Sequence, residues 1–141
     1  VNISADLLET FFISSFGKIA TMNFIGRDGP AMGNGPRSFK FLEGRSYPSG
    51  HSNAIMQLAS VMSHHIDYLP FQVAAYGGAA TVLLQRVTSD HHWPSDVFTG
   101  AVYGWVISHE LLKLKKSRRM KMTPMTFHDG KGTGLMITFG F

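Results

Sequence analysis

Residues suited to phosphate chemistry fall in two short places in the chain. The first is Pro48-Ser49-Gly50-His51. Proline fixes the entry of a helix, serine can cap it, and glycine lets a ligand approach the backbone. A helix start carries free N–H groups and positive dipole charge, which attract phosphate. A histidine beside it can give a proton to a leaving oxygen. The second place holds Arg86, His92 and Asp96. Arginine can grip two phosphate oxygens at once. His92 and Asp96 lie four residues apart at an expected helix start. There the carboxylate can reach back to one ring nitrogen, fix the tautomer and leave the other nitrogen to attack. Taken singly, each histidine is more simply a capped or solvated residue at a helix start. It is the combination that points to chemistry.

The elements that must position these groups are legible. Leu7, Leu8, Phe11, Phe12 and Phe16 recur at helical spacing and predict a first helix over residues 3–25. Residues 26–50 are rich in Gly, Pro and Arg and predict a long functional loop. A second helix is expected over 51–65 and a third over 70–88. A short polar turn follows over 89–93, and a fourth helix runs from Pro94 to about Lys115, with Asp96 in its first turn. In an antiparallel arrangement, the start of helix two, the end of helix three and the start of helix four share one end of the bundle. Both clusters then converge. The fold class expected is all-α, an antiparallel helical bundle over residues 1–121. Residues 122–141 form a tail in which 122–127 and 135–141 flank His128-Asp129-Gly130-Lys131-Gly132, a pattern suggesting a small β-hairpin.

Bulk properties narrow the class. The chain has 141 residues, enough for one domain, and 44% of them are apolar. It has no cysteine, so it holds neither a disulfide nor a thiolate metal site. The net charge of +4 comes from one run: Lys113, Lys115, Lys116, Arg118, Arg119 and Lys121. The rest of the chain is acidic on balance. A solvated helix end is the simplest reading of the run, and an anionic membrane surface the next. Nucleic acid is the weakest, because no stacking aromatics accompany the charges. Helices three and four nearly reach membrane-spanning length, but Gln72, Gln85, His109 and Glu110 interrupt them. The mean hydropathy of +0.02 favours a soluble or peripheral domain. The sequence opens on Val1 without an initiator methionine, and upstream residues are expected to be missing.

The two clusters together resemble the type 2 phosphatidic acid phosphatase superfamily, which includes bacterial acid phosphatases and vanadium haloperoxidases. That family's second motif, Pro-Ser-Gly-His, is matched by residues 48–51. Its third, Ser-Arg, five residues, His, three residues, Asp, reads Gln85-Arg86, His92, Asp96, with the serine replaced. Its first, Lys, six residues, Arg-Pro, is damaged: Met22 stands for the lysine and Gly29, before Pro30, for the arginine. Gly26-Arg27 matches the Gly-Arg often found just before.

The resemblance implies a nucleophilic His92 oriented by Asp96, and His51 as the proton donor that later activates water. Arg86, Ser49, the Gly50 N–H and, more weakly, Arg27 would hold the phosphoryl oxygens. Lys18, Arg27, Arg37 and Lys40 are the candidates for the missing first-motif cations. No metal or other cofactor is implied, vanadate belonging only to a haloperoxidase. The implied substrate is a lipid phosphate or small phosphomonoester, and the implied location periplasmic or in the cell envelope. A non-catalytic domain that binds a phosphorylated lipid is the rival reading. Phe11, Phe12, Phe16, Tyr103 and Trp105 are expected in the core. Gly77, Gly78, Ala79, Ala80, Gly100, Ala101 and Gly104 are expected to let helices three and four pack closely.

Overall fold

The computed structural model describes residues 2–117, 121–126 and 133–138. Within them lie four α-helices, α1 (Ile3–Ile25), α2 (Gly50–His65), α3 (Leu69–Thr88) and α4 (Pro94–Ser117), with a 3-10 turn at Pro30–Met32, then strands β1 (Lys121–Thr126) and β2 (Thr133–Thr138). The helical class and the element order match the expectation. The strands pair antiparallel with Met122 opposite Ile137 and Pro124 opposite Leu135. The first strand starts one residue earlier than expected and the second two residues earlier. Residues 127–132 and 139–141, which hold the expected turn and chain end, lie outside the described residues, as do Arg118 and Arg119 of the basic run. Two compact units are present, residues 1–109 and 110–141. Every candidate site residue belongs to the first. Among the described residues no helix is long and apolar enough to cross a membrane.

Caps set the helix limits. The Asn2 side chain accepts a hydrogen bond from Ala5 N–H at 3.3 Å and opens α1. Gly26 closes it in the left-handed region at φ +58°, with its N–H on the Met22 carbonyl. Ser49 caps α2, accepting from Ser52 N–H. Pro70 sits in the first turn of α3.

The packing inverts the expected core. Phe11, Phe12, Phe16 and Trp105 are exposed, Phe16 by 81%, and Tyr103 is half-buried. The buried positions of α1 are Thr10 and Ser14. Apolar residues surround α1 on several sides, so their spacing marked a helix without marking its inner face. The inner seam between α1 and α2 is small and polar. Ser14 Oγ donates to Asn53 Oδ1 at 2.9 Å, and Gln57 Nε2 donates to the same oxygen at 3.1 Å. Toward the other end of the seam, His65 Nε2 meets Asp6 Oδ2 at 2.9 Å. These contacts fix α1 and α2 antiparallel and in register.

The small residues also act differently from expectation. A Cβ on Gly100 would strike the Ser49 carbonyl, and one on Gly104 the Asn53 carbonyl. Their missing side chains therefore admit α2 against α4, not α3. Gly77 and Gly78 face open space. A small-residue stripe shows that something approaches, but not which helix.

Candidate functional site

Four segments meet at one end of the first unit: the end of α1, the 26–50 loop, the start of α2, and the α3–α4 turn. Backbone bonds knit them. Ser49 N–H donates to the Asp96 carbonyl at 3.0 Å, joining the starts of α2 and α4. Ser46 N–H donates to the Arg27 carbonyl at 2.9 Å, and His92 N–H to the Arg86 carbonyl at 3.3 Å. Gln85, where the resemblance would place serine, serves the turn: its Nε2 donates to Ser89 Oγ at 2.8 Å.

The α4 start is closed around a carboxylate. Trp93 N–H donates to Asp96 Oδ2 at 3.2 Å, while Asp96 N–H returns to the Trp93 carbonyl. The carboxylate at the third helical position thus satisfies the N–H of the residue before the helix, the acid's half of a capping box. Asp96 is fully buried. Its Oδ1 receives Arg27 Nη1 at 2.5 Å, and its Oδ2 receives Ser46 Oγ at 2.5 Å.

Arg27 is held from every side. Nη1 also donates to Ser95 Oγ at 2.7 Å, and Nε and Nη2 donate to the Pro36 carbonyl at 2.9 and 2.7 Å. The rings of Phe39 and Trp93 lie 5.8 and 5.7 Å from the guanidinium carbon. Its charge and most of its donors are spent inside the protein. Lys40 lies 3.7 Å from Asp28, a buried acid that also accepts from Ser38 and Asn34. Hydrogen bonds from Ser38 and Asn34 lead the causes that hold the Asp28 carboxyl below its ordinary range. Arg37 is exposed on the loop.

Lys18 stands apart from these cations. Its ammonium lies where a Gly50 side chain would be: a Cβ there would come within 2.9 Å of Nζ. Among the described residues it makes no ion pair with a carboxylate. Lys18 and Met22 are four residues apart and so share one face of α1. The lysine thus supplies a charge one turn before the position the motif would predict.

His92 is oriented by Ser46. Its Nδ1 lies 2.9 Å from the Ser46 carbonyl and 3.3 Å from Ser46 Oγ. A carbonyl only accepts, so Nδ1 carries the proton and Nε2 is left with a free lone pair. The direct Asp96–ring bond expected from the spacing is not made; the carboxylate turns to Arg27, Ser46 and Trp93 instead. Burial is the main cause that lowers the His92 pKa. The Ser46 carbonyl and the Asp96 charge oppose it, while His51 and Arg86 add to the lowering. Backbone bonds hold both residues at this end: the Arg86 carbonyl accepts the His92 N–H, and His51 lies two residues beyond Ser49, whose N–H donates to the Asp96 carbonyl. His51 is exposed at the first turn of α2. Arg86 Nε is buried without a hydrogen-bond partner. Ser49 is fully buried, and its hydroxyl also accepts from Ser52 Oγ at 2.9 Å.

The sequence-predicted residues His51, Arg86, His92, Asp96, Ser49 and Gly50 therefore share one end of the unit, and Arg27 adjoins them as a clamp on Asp96. Ser46 carried no signal in the sequence beyond its place two residues before Pro48.

A family model described as the PAP2 superfamily matches residues 6–120. The chain belongs to the PAP2 superfamily. It is also similar to the lipid A 1-phosphatase of Porphyromonas gingivalis, with 29% identity over 106 residues. That match covers 66% of this chain and 23% of the relative, so the chain spans about a quarter of the length of the curated protein it matches. No solved structure matches it. Membership in the PAP2 superfamily agrees with the helical architecture and with the paired histidine motifs at 51 and 92.

Proposed function

We propose that this PAP2 chain is a phosphohydrolase that cuts a phosphate monoester through a phospho-histidine on His92. The observation that carries the reading is the His92 ring: Nδ1 on the Ser46 carbonyl leaves Nε2 unprotonated, with His51 and Arg86 in reach. In the first step the Nε2 lone pair forms the N–P bond, and the P–O bond to the leaving group breaks as His51 donates its proton to that oxygen. In the second step water attacks phosphorus, His51 takes the water proton, and the N–P bond breaks. His92 is then neutral again. Positioning and charge stabilisation do most of the work in such transfers.

The phosphoryl oxygens would sit over the start of α2, where unpaired first-turn N–H groups and the helix dipole favour an anion. Lys18 and Arg86 supply the positive charge there. Arg27, spent on Asp96, holds the frame. Two cations and a helix start can balance the oxyanion without a metal. The similarity to a lipid A 1-phosphatase favours a phosphorylated lipid as the substrate, and an envelope location follows from that choice.

The test is phosphate release from a lipid phosphate and from a soluble phosphomonoester, in chelator. Turnover is expected to survive chelation. His92→Ala is expected to lower kcat by about 10³-fold or more, as loss of a nucleophile does. Phosphate-dependent binding without turnover would instead show a non-catalytic domain.

A further inference from the structure

We propose that Ser46 is a positioning residue that carries the charge of Asp96 to His92. The proposal's effect on turnover rests on the phosphohydrolase reading; its effect on the imidazole does not. Asp96 Oδ2 lies 2.5 Å from Ser46 Oγ, and an ionised carboxylate only accepts, so the serine proton points at Asp96. The remaining Oγ lone pairs then face His92 Nδ1 at 3.3 Å. The carbonyl of the same residue accepts from Nδ1 at 2.9 Å. One residue thus offers the ring two acceptors and no donor, and it can hold only the tautomer protonated on Nδ1. Ser46 is 4% exposed, so water does not compete for these positions.

The arrangement has a chemical use. Phosphorylation of Nε2 makes the imidazole cationic and strengthens Nδ1–H as a donor. A hydroxyl polarised by a buried carboxylate is a better acceptor for it than an unpolarised one. Asp96 is itself held by Arg27, so the line runs Arg27, Asp96, Ser46, His92. The other charged or titratable groups acting on the ring are His51 and Arg86. Neither lies on this line.

The line can be cut at the hydroxyl without touching the carbonyl. Ser46→Ala is expected to lower kcat about tenfold, the worth of one well-placed hydrogen bond, with KM little changed. Ser46→Thr, which keeps the hydroxyl, is expected to restore most of it. The decisive comparison is a cycle with Asp96→Asn. If Ser46 is the carrier, the double variant is no slower than the slower single variant. Strictly additive losses would overturn the proposal. Nitrogen NMR of the His92 ring gives a readout independent of turnover. The wild-type ring is expected to be protonated on Nδ1 and to shift its titration in Ser46→Ala. A ring protonated on Nε2, or a titration unmoved by Ser46→Ala, would overturn the proposal. An inactive wild type showing the expected ring state would overturn only the phosphohydrolase reading.

Discussion

The starts of α2 and α4 lie side by side, joined by the bond from Ser49 to the Asp96 carbonyl, yet they are finished in opposite ways. The α4 start is filled by its own carboxylate, and that carboxylate is neutralised by Arg27. The α2 start has no acidic residue in its first turn; serine caps it, and a lysine with no ion pair among the described residues stands over it. Both ends carry the same positive dipole. One has been consumed by the fold, and the other is where the proposed reaction places its phosphate. A helix start becomes a binding site only where the chain does not supply the anion itself.

This contrast can be broken from either side. The largest effect is expected at the α4 start. Asp96→Ala strands Arg27 without its counter-charge and leaves the Ser46 hydroxyl and Trp93 N–H unsatisfied. The expected cost is about 3–5 kcal/mol of stability, read as a lower midpoint in denaturant. At the α2 start the loss should appear in binding. Lys18→Met removes a charge that pairs with no carboxylate among the described residues, so the denaturation midpoint should hold. KM for the phosphoester, or Kd for inorganic phosphate, should rise about tenfold or more, the range for a charge-assisted bond. If Lys18→Met unfolds the protein and leaves KM alone, the assignment of the two ends is wrong.

The smallest effect concerns pH. Burial lowers the His92 pKa, so the ring stays neutral and nucleophilic below the ordinary imidazole value of about 6.5. The acid limb of kcat/KM should therefore lie below that value. The sign for stability agrees. Between the folded and unfolded pKa values the unfolded chain binds more protons, so this contribution is present above about 6.5 and is lost as the pH falls through the lower folded value. An acid limb above 6.5 would show that a different group controls the rate.

The site was more legible in the sequence than the core was. Pro48, Ser49, Gly50 and His51, and Arg86, His92 and Asp96, could be singled out because phosphate chemistry favours those residue types at helix ends, and the fold brings them to one end. The starts of α2 and α4 followed from Ser49 and Pro94, which act locally. The core could not be read the same way. Phe12 and Phe16 keep helical spacing while facing outward, at 68% and 81% exposure, because periodicity identifies a helix and burial needs a partner.

Local chemistry, then, was fixed by the residues alone: four helices, their caps, two histidines and a carboxylate at helix starts. Tertiary structure decided what each polar group would touch. Asp96 could have met His92 directly or through another residue, and only the folded loop brought Ser46 between them. Lys18 and Arg27 read alike as spare cations until packing gave one a buried acid and set the other over a bare helix end. Such choices depend on groups distant in sequence, and local spacing carries no record of them.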